Sequence, residues 1–165
     1  MRRLTLFLLL AAMAPARADT VLWPKAMHLY TVEVPAGWKT EEFDNGVNLA
    51  FYPPDKSCVI VVSYLKNPDE AGRSTDDIAN DLAARSGLTQ FAAAGAGAIS
   101  GVKGNAYTGT LKNPADGATW TVRAILVQLR PTVWAIELVK WRPDTTADQQ
   151  AACNKAGVGV TLNYH

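Results

Sequence analysis

The sequence is poor in the residues that most often carry out catalysis or bind metals. Its 165 residues include two histidines, His28 and His165, and two cysteines, Cys58 and Cys153. A Ser-His-Asp triad or a histidine-rich metal site is hard to assemble from so few imidazoles. The cysteine spacing fits neither a zinc site nor a C-x-x-C redox motif. The sequence therefore predicts no catalytic residues, no metal and no cofactor, and we expect the protein not to be an enzyme.

An excess of charge of one sign is also missing. Lys and Arg number 16 against 15 Asp and Glu, the formal net charge is +1, and no basic cluster is present. Nucleic acids and anionic membranes attract proteins through concentrated positive charge. The balance therefore argues against nucleic acid or an anionic membrane as a partner.

Only the N-terminus carries a long apolar run, and it predicts a signal peptide over residues 1–18. Arg2 and Arg3 precede an apolar run over residues 4–14, and the triplet at residues 16–18, Ala-Arg-Ala, is an A-x-A cleavage site. The run is shorter than the roughly 20 residues that span a bilayer, so no transmembrane segment is predicted. Cleavage after Ala18 then releases a periplasmic or secreted chain.

The route and compartment of export follow from smaller signals. Arg2-Arg3 is compatible with twin-arginine export, but the following Leu4-Thr5-Leu6 fits that pattern poorly, which favours the general secretion route. No cysteine stands near the cleavage site to carry a lipid anchor, and no Asn-x-Ser/Thr sequon is present. We therefore expect a bacterial periplasmic protein.

In an oxidising compartment an even, small number of cysteines predicts a disulfide. We predict that Cys58 at the start of an apolar strand is joined to Cys153 in the last helix. The alternative is two separate buried thiols, because free cysteine packs well as a small hydrophobic residue.

Periodicity and turn signals predict one α+β domain over residues 19–165, with helices covering an antiparallel sheet. The Asn45-Gly46 pair predicts a tight hairpin. The apolar segment at residues 59–62 predicts a strand that is covered on both faces. Six strands are predicted over residues 27–34, 47–52, 57–65, 106–111, 119–129 and 133–141. Helices are predicted after Ser74, ending at Gly87, and after Thr145 or Thr146, ending near Ala156. The Ala- and Gly-rich residues 92–104 are compatible with either a loop or an irregular edge strand.

Residues 30–38, Tyr-Thr-Val-Glu-Val-Pro-Ala-Gly-Trp, resemble the opening segment of the PsbP-like (DcrB-like) families of exported proteins, Y-x-I-x-x-P-x-G-W. The hairpin around Gly46, the apolar strand and the helix after Ser74 follow in the order that those families show. The resemblance implies an α/β/α sandwich around an antiparallel sheet. It also implies a non-catalytic accessory or binding protein, with no family active site to transfer.

Tryptophan, a residue that can line a binding site, is frequent for a chain of this size, with five residues. Trp134 and Trp141 are an odd number of residues apart, so they lie on opposite faces if their strand is regular. We expect most tryptophans to fill the core, including Trp38 beside its turn. Three of them remain candidate binding aromatics: Trp23, Trp120 and Trp141.

Three functional hypotheses follow, of which the third, an enzyme, is disfavoured by the missing catalytic residues. The first is an exported, non-catalytic accessory protein that binds another periplasmic or envelope protein. The second is a carrier of a small molecule or glycan that uses a tryptophan-lined cleft between sheet and helix. A flat exposed apolar patch would favour the first, and a large apolar pocket the second. The oligomeric state is left open.

Overall fold

The structure, a computed structural model, describes residues 18–67, 69 and 71–163. The predicted signal peptide up to Arg17, and His165, lie outside these ranges. The described residues form ten strands and two helices in the following order: β1 Asp19–Trp23, β2 Tyr30–Val34, β3 Lys39–Phe43, β4 Asn48–Tyr52, β5 Cys58–Lys66, α1 Thr75–Ser86, β6 Leu88–Ile99, β7 Val102–Lys112, β8 Thr119–Arg130, β9 Val133–Trp141, α2 Ala147–Val158 and β10 Val160–Leu162. Neither described helix is long and apolar enough to cross a membrane.

Strands β3 to β9 build one seven-stranded sheet in the order β3-β4-β5-β9-β8-β7-β6. Every neighbouring pair in it is antiparallel. On β5, Ile60 belongs to the apolar core on one face and Val61 to the core on the other face. The prediction of a strand covered on both sides is therefore confirmed.

Helix α1 covers one face of the large sheet over β6 and β8. It begins with a capping box, in which the Ser74 hydroxyl accepts the Asp77 N–H at 3.1 Å and the Asp77 carboxylate accepts the Ser74 N–H at 3.1 Å. It ends at Gly87, whose φ of 65° is the left-handed conformation typical of a helix C-terminus. Ile78 and Ala79 pack against the sheet. Both predicted ends of this helix are confirmed.

The opposite face of the large sheet is covered by α2 together with a second, three-stranded sheet in the order β1-β2-β10. Tyr30 of β2 crosses the layer between the two sheets. Its hydroxyl donates to the Ser63 carbonyl at 2.5 Å and accepts from the Ile136 N–H at 2.9 Å. These bonds place the phenol between β5 and β9, and burial raises the pKa of Tyr30 far above its ordinary value.

The fold class is the predicted one, an α+β protein with an antiparallel sheet between two covering layers. The prediction is incomplete or wrong at several points. Strands β1, β3 and β10 were not predicted, and β2 begins at Tyr30 instead of Met27. Four strands rather than three separate the helices, because β6 forms where the sequence left a loop or an edge strand open. Residues 24–28 form a turn in which the Pro24 carbonyl accepts the N–H groups of Met27 and His28 at 3.0 and 2.7 Å. This turn takes the first residues of the predicted strand out of the sheet.

The structure contains the predicted disulfide between Cys58 of β5 and Cys153 of α2, with a Cα–Cα distance of 6.5 Å. Both cysteines are buried. The N-terminus of α2 is attached to the same region, because the Thr145 hydroxyl donates to the Ser57 carbonyl at 2.7 Å and the Gln149 amide donates to Asp55 at 2.9 Å. Helix α2 is therefore joined to the sheet both covalently and by hydrogen bonds.

The Ala- and Gly-rich segment forms β6, the irregular edge strand that the sequence left as one of two possibilities. Its pairing with β7 shifts register between Thr89 and Ala92 and again between Ala93 and Gly95. On β7, a side chain at Gly104 would place its Cβ 2.1 Å from the Leu126 carbonyl oxygen. Glycine is needed there because the neighbouring backbone of β8 approaches too closely for any other residue.

Candidate functional site

The three candidate binding aromatics do not come together. Trp23 is 1% exposed and lies inside the core under the small sheet, so it is not available to a ligand at the surface. Trp120 and Trp141 are both partly exposed. Trp141 packs on the core beneath α2, whereas Trp120 shares a face of β8 with Val122, which packs beneath α1. The structure therefore provides no single tryptophan-lined cleft among its described residues.

The tryptophans of β9 lie as the alternation predicts. Trp134 is fully buried on the α1 face, and Trp141 lies on the opposite face. Trp38, which we expected to be largely buried, is half-buried. Its ring centroid is 6.2 Å from that of Phe51, and it packs on the rim of the core.

An apolar concavity lies beside α1, between the helix and the β3–β4 hairpin. We call it the hairpin groove, because the turn between β3 and β4 forms its far wall; its volume is about 340 Å³. Val61, Ile136 and Leu138 lie in the floor, and Leu82 of α1 stands opposite the hairpin. None of its lining residues is a tryptophan. The groove is a narrow recess with an apolar lining, because Val61, Ile136 and Leu138 in its floor are 8%, 6% and 6% exposed.

Two large apolar side chains stand exposed at the hairpin wall of the groove. Phe43 is 38% exposed and Val47 is 36% exposed. They flank the turn at Asp44, Asn45 and Gly46, with Phe43 as the last residue of β3 and Val47 directly before β4. An exposed apolar rim next to an apolar floor is a feature of surfaces that bind a partner or ligand.

Four charged residues line the groove: Asp44 of the hairpin turn, Asp81 and Arg85 of α1, and Lys140 of β9. Lys140 of β9 lies in the floor, and burial lowers the pKa of its ammonium group. Asp81 of α1 is held by Arg73 at 2.7 Å and approached by Arg85 at 3.8 Å. The hydrogen bond from Arg73 lowers the pKa of Asp81. Unlike Asp81, Lys140 forms no ion pair in the described part of the chain.

A second concavity of about 330 Å³ lies on the other face, between α2 and the large sheet. We call it the α2 cleft. Glu137 of β9 lies in it and is 8% exposed, and Arg123, Asn154 and Ser100 also line it. Burial raises the pKa of Glu137 to about 7, while the positive charge of Arg123 opposes that rise.

Sequence reasoning missed both charged residues of β9. The signal was present, because Glu137 and Lys140 interrupt an otherwise apolar strand from Val133 to Trp141. A strand at the centre of a covered sheet exposes neither face to water, so any charge in it must reach a cleft or remain buried. The only described histidine, His28, is exposed in the turn after β1. Within residues 18–67, 69 and 71–163, no three His, Cys, Asp or Glu side chains lie close enough together to hold a metal ion.

The sequence matches no protein-family model and no curated protein. Solved structures do match. LpqN of Mycobacterium tuberculosis, described as involved in cell envelope biogenesis, is 16% identical with a TM-score of 0.52; the match covers 81% of this chain and 82% of that one. The PsbP protein of the cyanobacterium Synechocystis is 13% identical with a TM-score of 0.52, covering 92% of this chain and 95% of that one.

The Ran-binding protein Mog1p of Saccharomyces cerevisiae is 16% identical with a TM-score of 0.50, and the match covers 87% of each chain. A protein from Bacteroides thetaiotaomicron is 12% identical with a TM-score of 0.56; the match covers 89% of this chain, which spans about half, 49%, of that longer one. At such identities the likeness concerns the fold alone. The fold of this chain is PsbP-like, as the segment at residues 30–38 predicted.

Proposed function

We propose that this protein is an exported, non-catalytic accessory domain that binds another periplasmic or envelope protein through the hairpin groove. The observation that carries the proposal is the apolar-lined recess between α1 and the β3–β4 hairpin, with Phe43 and Val47 exposed at its rim. The PsbP-like fold is compatible with a non-catalytic binding domain. The proposed partner contributes an apolar segment that fills this recess.

Three observations support export. Residues 1–18 have the pattern of a signal peptide with cleavage after Ala18, which leaves residues 19–165 as the proposed single domain. The Cys58–Cys153 disulfide suits an oxidising compartment. LpqN, which has a similar fold, is described as involved in cell envelope biogenesis. Intact-mass measurement of the exported protein tests this part, since Asp19 should be the first residue.

The size of the groove suits a short apolar segment rather than a large flat interface. A volume of about 340 Å³ holds a few side chains, and the rim residues extend the apolar surface beyond it. Aromatic and aliphatic anchors that fill such a recess typically supply most of the energy of an interface. Val47 and Phe43 would then lie at the edge of the interface, within reach of the partner.

Site-specific photo-crosslinking in the periplasm tests this function. A photoreactive amino acid at Val47 should crosslink to a specific protein. The same amino acid at Val102, which is 38% exposed on β7 near the opposite edge of the large sheet, should not. Val47→Glu should abolish co-purification of that protein, whereas Val102→Glu should leave it unchanged. Equal crosslinking at both positions, or loss of the partner in both variants, would contradict the proposal.

A second function, the carrying of a small molecule, is favoured by one observation, Lys140. An ammonium group in the apolar floor, without an ion-pair partner among the described residues, suits an amphiphile with an anionic head and an apolar tail. The groove holds no tryptophan, so a tryptophan-lined glycan site is not the form this carrier would take. Native mass spectrometry of protein purified from the periplasm should then show a bound mass that Lys140→Met loses.

A further inference from the structure

Glu137 is the one buried charged side chain among the described residues, at 8% exposure. Its direct neighbours in the sheet are Val62 on β5 and Ile125 on β8, which are both apolar. A carboxylate among such neighbours loses its hydration, and the loss is costly unless hydrogen bonds replace it. Buried charges in proteins are normally paired for this reason.

The structure holds no such replacement within the described residues. No hydrogen bond and no ion pair between described residues involves the Glu137 carboxylate. The nearby Tyr30 hydroxyl is not free to donate to it, because it already donates to the Ser63 carbonyl and accepts from the Ile136 N–H. Among the described residues, Arg123 is the one cation that acts on this carboxylate, and its own side chain is exposed.

Helix α2 nevertheless makes room for the carboxylate. A Cβ at Gly157 would stand 3.0 Å from Glu137 Oε1, closer than ordinary van der Waals contact. A helix is less stable with glycine in its interior than with alanine. The helix thus carries an unfavourable residue at the point where its backbone faces the unpaired acid, and this leaves the acid oriented into the α2 cleft.

The rest of the cleft defines what fits there. Arg123 supplies donors for a carboxylate, and Ile125, Val139 and Val160 supply an aliphatic wall. A volume of about 330 Å³ lies at the lower end of small-molecule sites. The charges of Glu137 and Arg123 cancel each other. A zwitterionic ligand, which carries one positive and one negative charge, would therefore leave the net charge of the cleft at zero.

We propose that the α2 cleft binds a free aliphatic amino acid. Its ammonium group donates to the Glu137 carboxylate, its carboxylate accepts from Arg123, and its side chain packs on the aliphatic wall. This site lies on the face of the sheet opposite the hairpin groove and does not depend on the function proposed for that groove.

Three matched probes test the assignment. The first is L-valine. Isobutylamine lacks only the carboxylate of valine, and isovalerate lacks only its ammonium group. Each is added to the isotope-labelled, disulfide-bonded chain 19–165 while amide resonances are followed. L-Valine should shift Gly157, Val139 and Ser100 in a saturable way. Isobutylamine should bind about tenfold more weakly, and isovalerate should not saturate.

Two variants separate the two contacts. Glu137→Gln keeps the shape of the side chain and should weaken both L-valine and isobutylamine at least about tenfold. Arg123→Gln should weaken L-valine but leave isobutylamine unchanged. Glu33→Gln, an exposed position on β2, is the control and should change neither. Absence of saturable shifts with both L-valine and isobutylamine at about 10 mM would overturn the proposal. So would unchanged binding in Glu137→Gln, or isovalerate binding as well as isobutylamine.

Discussion

The two faces of the large sheet are covered in different ways. On one face α1 packs over β6 and β8 and leaves a recess beside the β3–β4 hairpin, with Phe43 and Val47 exposed at its rim. On the other, α2 and the three-stranded sheet form a layer that contains the α2 cleft and is fastened by the Cys58–Cys153 disulfide and by Tyr30. We call the first the open face and the second the fastened face. The open face is therefore the one that we expect to receive a macromolecular partner.

The largest test of this comparison is removal of the disulfide. Cys58→Ala with Cys153→Ala frees a connection that spans 95 residues of chain. The chain-entropy model then gives a loss of about 4–5 kcal/mol in the free energy of unfolding. Chemical denaturation at neutral pH measures it, and reduction of the unmodified protein should produce the same loss. If the double variant is as stable as the parent, α2 is held by its packing alone and the contrast between the faces disappears.

A second test concerns the buried acid of the fastened face. The ordinary pKa of 4.5 rises to about 7 for Glu137 in the folded state. Below pH 4.5 the Glu137 carboxyl is protonated in both the folded and the unfolded chain, so its titration does not change the free energy of unfolding. Between these values the unfolded chain loses the proton first, so stability falls as the pH rises, and the full penalty is present above pH 7.

Glu137→Gln should therefore stabilise the protein above pH 7, by roughly 3 kcal/mol at 1.36 kcal/mol per unit of pKa. Below pH 4.5 it should have little effect. The groups that face this carboxylate are Arg123 on β8 and Tyr30 on β2. Melting temperatures measured from pH 4 to pH 8 check the prediction, with Glu33→Gln as the exposed control. A constant difference between variant and parent across this range would mean that Glu137 is not buried as described.

The rim of the fastened face gives an intermediate effect, because Trp38 packs on the core beneath the small sheet. Trp38 was expected to be substantially buried, for which Trp38→Ala would lower stability by about 3–5 kcal/mol. Because the ring is half-buried against Phe51, the loss should be only about 2 kcal/mol. Trp23→Ala, at a fully buried site, is the matched comparison and should reach the larger value. Equal losses measured by chemical denaturation in the two variants would contradict the distinction between rim and core.

Short sequence signals predicted the helix ends, the hairpin turn and the central strand correctly. The caps at Ser74 and Gly87, the turn at Asn45-Gly46 and the apolar strand β5 were all readable, because each depends on residues next to one another. The small sheet was not readable. It joins β2 to residues 19–23 and 160–162, from the two ends of the described chain, and segments of five and three residues carry no usable periodicity.

The candidate site was predicted less well for a related reason. Tryptophans were selected by residue type, yet type does not decide whether Trp23 lies in the core or at the surface; the tertiary packing of the small sheet does. The groove lies between α1 and the β3–β4 hairpin, and it therefore depends on where α1 packs across the sheet. Glu137 was the exception that could have been found, since an acid amid the apolar residues of β9 conflicts with the local pattern.

The smallest expected effect compares the helices that cover the two faces. Ser74→Ala removes the hydroxyl that accepts the Asp77 N–H, and Thr146→Ala removes the equivalent acceptor for Gln149 at 3.3 Å. Each should lower the free energy of unfolding by about 1 kcal/mol. The hydrogen bond from the Ser74 hydroxyl also holds the pKa of Asp77 low, so the effect of Ser74→Ala should diminish as the pH falls and that carboxylate is protonated in the parent.

The two variants should differ more in hydrogen exchange at the first turn of each helix than in the free energy of global unfolding. Native-state hydrogen exchange in Ser74→Ala should show faster opening of the first turn of α1, which no covalent link restrains. In Thr146→Ala the first turn of α2 should stay protected, because Cys153 and the Thr145–Ser57 hydrogen bond keep it on the sheet. Equal acceleration in both helices would show that the disulfide does not distinguish the two faces.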